Sequence, residues 1–153
     1  MSALCLCAVR ARGSLAVSGC LFCDIVRGHA ASYPVYQDDQ VYAFLDLFPV
    51  SPGHTLVIPK RHADDLFGTT EACAEAVART VRLVALALRE VLDPDGVTVT
   101  QLNGVAAGQT VFHSHTHLIP RALGAPKVTH TGVRGRPREL EEMASRLSAA
   151  LGG

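Results

Sequence analysis

Residues 111–120 read VFHSHTHLIP, with His113, His115 and His117 at every second position and Ser114 and Thr116 between them. The segment is β-like in composition, and in a strand alternate side chains project from opposite faces. The spacing predicts three imidazoles on one face and two hydroxyls on the other. Neighbouring histidines in such a row lie about 7 Å apart and the outer two about 13 Å, whereas zinc holds nitrogen at about 2.0 to 2.1 Å. Two adjacent histidines can share a metal on that geometry, but a regular strand hardly lets all three do so. A neutral imidazole attacks phosphorus readily and titrates near neutrality, so a row can supply attack, charge stabilisation and proton transfer along one substrate. Just upstream, Gly108 permits close backbone approach, and Gln109 and Thr110 bring polar groups to the entrance, which suits an anionic ligand.

Working outward, VTVTQLN (97–103) is rich in β-branched residues and leads through the glycine-bearing loop GVAAGQ into the histidine segment, predicting a hairpin. VYQDDQVYAFLDL (35–47) predicts an earlier hairpin that turns at Asp38-Asp39. Pro49, Pro52 and Gly53 mark a loop before HTLVIPKRH (54–62), a buried strand ending at Pro59. Between Thr70 and Leu92, Val77, Val81, Val84, Leu88 and Val91 recur at steps of four and three, one face of a helix. Thr70 is its expected N-cap, Pro94 and Gly96 its stop, and Glu75 and Arg79 an i,i+4 pair. Leu140, Met143 and Leu147 lie on one side of a closing helix that starts near Pro137. Strands, helix, strands, helix without strict alternation is an α+β order, with an antiparallel sheet.

Fourteen basic and fourteen acidic side chains cancel, and no charge block is long enough to act as a nucleic-acid or membrane arm. The apolar stretches are broken well before the roughly 18 residues of a membrane span. Residues 1–19 are expected to form a disordered tail. They carry Arg10 and Arg12 and no acid, but the charges follow the apolar run instead of preceding it, the wrong order for secretion. A single domain over 20–153 is expected after it. Five unevenly spaced cysteines do not form a disulfide framework, which fits a reducing, cytoplasmic setting.

GQTVFHSHTHLIPR (108–121) resembles the signature of the histidine triad (HIT) superfamily of nucleotidyl hydrolases and transferases. FLDLFPVSPGHTLVIPKRH (44–62) resembles its upstream block, and with CLFCDIVRG (20–28) the likeness runs from Cys20 to Arg121. The resemblance implies a HIT-like half-sheet of about five strands with one long helix and a C-terminal helix, and a homodimer. It implies that His115 attacks the α-phosphorus of a nucleotide to give a nucleotidyl-histidine intermediate, with His117 beside the leaving group and His54 orienting the imidazoles. Thr110 and Gln109 are placed near the phosphate, Asp46 at the ribose hydroxyls, and Phe22, Ile25, Phe44, Leu45 and Leu47 around a purine base. Asn103 opens the loop over the phosphate.

By the same resemblance, a zinc-binding branch of the family matches Cys20, Cys23, His62 and His113, a closed Cys2His2 set typical of structural zinc. No metal is then required for the chemical step. The expected activity is hydrolysis of a purine nucleoside phosphoramidate. Cleavage of dinucleoside polyphosphates by water or phosphate uses the same nucleophile; Lys127, Arg134, Arg136 and Arg138 are the basic residues that could meet the extra phosphates, with a solvated surface loop as their default reading. A nucleotide-binding adaptor and a three-histidine metalloenzyme are the alternatives from other classes. Two features depart from the family. The residues between the histidines are usually apolar, so Ser114 and Thr116 must find partners behind the strand. The chain also has no tryptophan, which in some eukaryotic members shapes the leaving-group pocket. Cys73 is expected in the core, and His29 and His130 at the surface.

Overall fold

A computed structural model describes residues 19–127 and 132–153; most of the N-terminal tail and His130 lie outside them. A short helix α1 (Leu21–Val26) is followed by strands β1 (Pro34–Gln37), β2 (Val41–Leu45) and β3 (Thr55–Pro59). The long helix α2 (Glu71–Leu92), strand β4 (Gly96–Thr100), strand β5 (Thr116–Arg121) and helix α3 (Pro137–Ala150) complete the α+β fold. The strands form one antiparallel sheet in the order β1-β2-β3-β5-β4.

Period-two alternation gives the sheet two unlike faces. Ala43, Leu45, Val57 and Leu118 pack against Val84, Ala87 and Leu88 of α2 and Leu140, Ala144 and Leu147 of α3. Tyr42, Phe44, Leu56 and Ile58 point the other way and pack with Cys20, Phe22, Cys23 and Ile25 around α1. Leu56 pairs with His117 across β3 and β5, so His117 shares the α1 face. Thr70 caps α2 by accepting from the Cys73 amide, and Asp93 ends it in the left-handed region. Cys73 is buried and His29 exposed. Arg79 donates to Gln40 Oε1 instead of pairing with Glu75, because the β1–β2 turn offers it a partner off the helix.

One expectation about the histidine segment needs correcting: β5 begins at Thr116, not at Val111. The β3 partner runs out, since its register with β5 ends at Val57 and Thr116 and Pro59 has no amide hydrogen to extend it. Ser114 N donates instead to Ala63 O in the loop after β3, at 2.7 Å. His113 and His115 therefore sit on irregular backbone, and the regular spacing of a strand does not apply to them.

Candidate functional site

Each imidazole of the row is buried, and each is given its proton by a neighbouring group. His113 Nε2 donates to Pro59 O at 2.8 Å, which leaves Nδ1 as a lone pair. That atom faces Cys20 Sγ at 3.4 Å, Cys23 Sγ at 3.6 Å and His62 Nδ1 at 3.3 Å. His115 is set the opposite way: Nδ1 donates to His113 O at 2.6 Å, so its lone pair is on Nε2. A carbonyl accepts only, so both assignments follow from the partner.

His54 fixes the third tautomer. The loop between β2 and β3 turns back so that Val50 N donates to His54 Nδ1 at 3.2 Å. The remaining nitrogen, Nε2, then carries the hydrogen and donates to His117 Nδ1 at 2.9 Å. In its neutral form His117 therefore has its proton on Nε2. Asp46 Oδ2 lies 3.6 Å from His54 Nε2 and 3.9 Å from His117 Nδ1, close enough to stabilise either as a cation. Its other oxygen accepts from Phe48 N at 2.8 Å.

His115 and His117, with ring centres 5.0 Å apart, form one wall of a cavity of about 430 Å³. Phe22, Ile25, Phe44 and Leu47 supply an apolar wall, and Asp46 and Thr110 polar edges. Phe48, Leu56 and Val111 also line it. These three lacked a distinguishing signal, since each reads as ordinary core. Three of the residues expected at the site do not line this cavity. Leu45 is buried on the helix face. Gln109 Nε2 donates to Asp64 O and Val111 O while its Oε1 accepts from Gly104 N, so it staples the loop instead of standing at the entrance. Asn103 Oδ1 accepts from Leu66 N. A second cavity of about 430 Å³ between the 49–53 loop and α3 touches His54 but neither His115 nor His117.

Cys20, Cys23, His62 and His113 place one ligand atom each within 4.8 Å of one another. A tetrahedral zinc with bonds of about 2.0 to 2.3 Å requires edges of roughly 3.3 to 3.8 Å, and the four measured edges run from 3.3 to 3.6 Å. The donor set and its spacing fit zinc. His62 Nε2 meets Asp64 Oδ1 at 3.0 Å, which leaves Nδ1 for the metal. Burial lowers the His113 pKa to about 4 and, joined by the neighbouring Cys20, raises that of Cys23 to about 11.

Ser114 and Thr116 are buried, and one side chain that the sequence did not single out serves both. Gln101 Nε2 donates to Ser114 Oγ at 3.0 Å, and Thr116 Oγ1 donates to Gln101 Oε1 at 3.2 Å.

The HIT domain family matches residues 27–123. The chain belongs to the HIT family. It is a family of nucleotide-binding proteins, generally hydrolases, and its members' structures overlay on this one. A Hit-like protein of Bartonella henselae is 37% identical over 86% of this chain and 96% of its own, with a TM-score of 0.82. A zinc-bound histidine triad protein of Mycobacterium smegmatis is 39% identical over 88% of this chain and 94% of its own, with a TM-score of 0.77. Among curated relatives, the Arabidopsis thaliana adenylylsulfatase HINT3 is 34% identical over 86% of this chain and 67% of its own. Among the described residues of this HIT protein no helix is long and apolar enough to cross a membrane.

Proposed function

We propose that this HIT protein is a nucleotidyl hydrolase whose preferred substrate is a purine nucleoside phosphoramidate. The carrying observation is the His115 tautomer: with Nδ1–H held by His113 O, the lone pair on Nε2 belongs to a residue that lines the cavity. In the first step Nε2 attacks the α-phosphorus, the phosphorus–nitrogen bond breaks, and the His54–His117 pair, entering as the cation, gives the departing amine a proton through His117 Nε2 and becomes neutral. Water then attacks phosphorus and returns a proton to the His54–His117 pair, the bond to His115 breaks, and a nucleoside monophosphate is released. His54 keeps His117 Nε2 protonated, and the Asp46 carboxylate stabilises the positive charge that the pair carries before the amine leaves.

The purine lies among Phe22, Ile25, Phe44 and Leu47, the ribose hydroxyls reach Asp46, and Thr110 meets the phosphate. Gln109 supports the cavity wall through its bond to Val111 O. Zinc at Cys20, Cys23, His62 and His113 holds the fold; the zinc-bound relative supports this reading. A homodimer is supported by exposed Leu86 on α2 and Val99 on the edge strand β4. The family supports a cytoplasmic setting.

Dinucleoside polyphosphates are the second substrate class, but Arg136 and Arg138 pair with Glu139 and Glu142 instead of facing the cavity, which favours the smaller leaving group. The adenylylsulfatase relative makes sulfate a further leaving group to test.

His115→Ala should abolish turnover of adenosine phosphoramidate, followed by phosphorus NMR, while adenosine monophosphate still binds. Normal rates in that variant would refute the covalent mechanism. Wild-type binding without any turnover across amidate, adenylyl sulfate and dinucleotide substrates would favour an adaptor.

A further inference from the structure

We propose that Gln101 is a positioning residue for His115, acting through the two residues that flank it. This rests on the reading of His115 as the nucleophile. The problem it answers is local. Ladder pairing with β3 ends at Thr116 and with β4 at His117, so the backbone that carries His115 is outside the sheet. Ser114 N to Ala63 O ties it at one point. The carboxamide of Gln101 supplies the others, with Ser114 on one side of the nucleophile and Thr116 on the other.

The amide can sit only one way round. Asn103 Oδ1 must be oxygen, because Leu66 N–H donates to it at 2.8 Å. Gln101 Nε2 donates to that same oxygen at 3.1 Å, so its NH2 group is directed to the Asn103 side. Its two hydrogens go to Asn103 and Ser114, and Oε1 is left to accept from Thr116. A backbone amide in the loop beyond β3 thus dictates, through two carboxamides, which hydroxyl donates beside the nucleophile. A reversed amide would set two oxygens against each other at Asn103.

The clamp matters because the His115 Nδ1–H to His113 O bond spans the same short segment. A shift of Ser114 or Thr116 moves the donor relative to its acceptor, and with it the direction of the Nε2 lone pair. Reaction rates are sensitive to such displacement: about 1 Å can cost a hundredfold. Affinity for the nucleotide depends on other cavity residues and should change little.

Gln101→Leu keeps the volume and removes all three side-chain bonds. Its kcat for adenosine phosphoramidate should fall about tenfold or more, while KM, affinity for adenosine monophosphate and bound zinc stay within twofold. The triple variant Gln101→Leu, Ser114→Ala, Thr116→Val leaves no hydroxyl without a partner but still has no clamp, and its kcat should stay about tenfold or more below wild type. Long-range nitrogen–hydrogen correlation of the imidazoles reads the same event without turnover. The His115 Nδ1-protonated pattern should weaken in Gln101→Leu and in the triple variant alike. Should Gln101→Leu fail to fold, Ser114→Ala, which removes one arm, should show the same effects at smaller amplitude. A kcat within twofold of wild type in Gln101→Leu overturns the proposal, as does a triple variant that regains wild-type kcat, which would assign the loss to unpaired hydroxyls instead of a lost clamp. A wild type that turns over no nucleotide would instead remove the hydrolase reading, and the His115 nitrogen pattern would then decide the clamp alone.

Discussion

Three chemically identical side chains in one decapeptide take two different proton placements, each set by a different neighbouring group. The Pro59 carbonyl puts the hydrogen of His113 on Nε2, the His113 carbonyl puts that of His115 on Nδ1, and the Val50 amide, acting through His54, puts that of His117 on Nε2. The consequence for His113 is measurable in zinc-free protein. Burial holds its pKa near 4, against about 6.5 in an unfolded chain. A histidine whose folded pKa is depressed favours folding when neutral. Its contribution is therefore fully present above pH 6.5 and is lost as the pH falls from 6.5 towards 4. The shift corresponds to about 3 kcal/mol. Urea unfolding of chelated protein between pH 7.5 and 4 should show this loss on top of carboxylate titration. The slope should be smaller by that amount in His113→Asn, and equal slopes in the two proteins would contradict the assignment. The alternation of histidines was legible in the sequence, but the tautomers were not. Those of His113 and His117 depend on Pro59, Val50 and His54, which lie more than fifty residues upstream, and that of His115 on the irregular backbone that turns the His113 carbonyl towards it.

At the scale of elements, a glycine sets the position of His54. Gly53 has φ +84°, and a Cβ there would stand 2.6 Å from Leu92 Cδ1 and 3.0 Å from Leu88 Cδ2. The end of α2 is thus pressed against the loop that delivers His54. Gly53→Ala combines a left-handed backbone costing about 1 to 2 kcal/mol with overpacking of about 1 to 3 kcal/mol. Loss of roughly 2 to 4 kcal/mol should appear in denaturant unfolding, and a change under 1 kcal/mol would mean that the two leucines give way freely. By contrast, removing the cap hydroxyl with Thr70→Ala should cost only about 1 kcal/mol, because the 22-residue α2 is held mainly by its apolar face. Helix α2 and the β1–β2 hairpin could be read from the sequence because periodic burial and turn chemistry are local. The start of β5 could not: 111–115 is β-like in composition, but its partner at 60–63 has left the sheet. Gln109 misled for a related reason, since an amide beside a glycine loop looks the same whether it faces a ligand or staples the loop.

Taken whole, the molecule has a thick side and a thin side. Two helices cover one face of the sheet with a continuous apolar layer, while the face that carries the histidines is covered by α1, six residues long. A helix of that length does not persist without tertiary support. Its support comes from Phe22 and Ile25 in the cavity wall and from Cys20 and Cys23 beside His62 and His113. Zinc bound there would join α1, the loop after β3 and the histidine segment at one point, closing a loop of more than ninety residues between Cys20 and His113. The base wall of the cavity and the anchor of the nucleophile's segment would then share one fastening. Because the Cys23 thiol keeps its proton up to about pH 11 in the metal-free state, binding must displace that proton, and zinc affinity should rise with pH. Chelation should lower the melting temperature and increase amide exchange first in residues 20–30, while α2 and the β2–β3 pair stay protected. Turnover of adenosine phosphoramidate should persist after chelation at temperatures where the fold survives, with the larger change in KM because Phe22 and Ile25 are loosened. Immediate loss of kcat on chelation, with α1 still protected, would place the metal in the chemistry. Zinc-free protein as isolated, with unchanged melting in Cys20→Ala, would remove zinc from the molecule altogether.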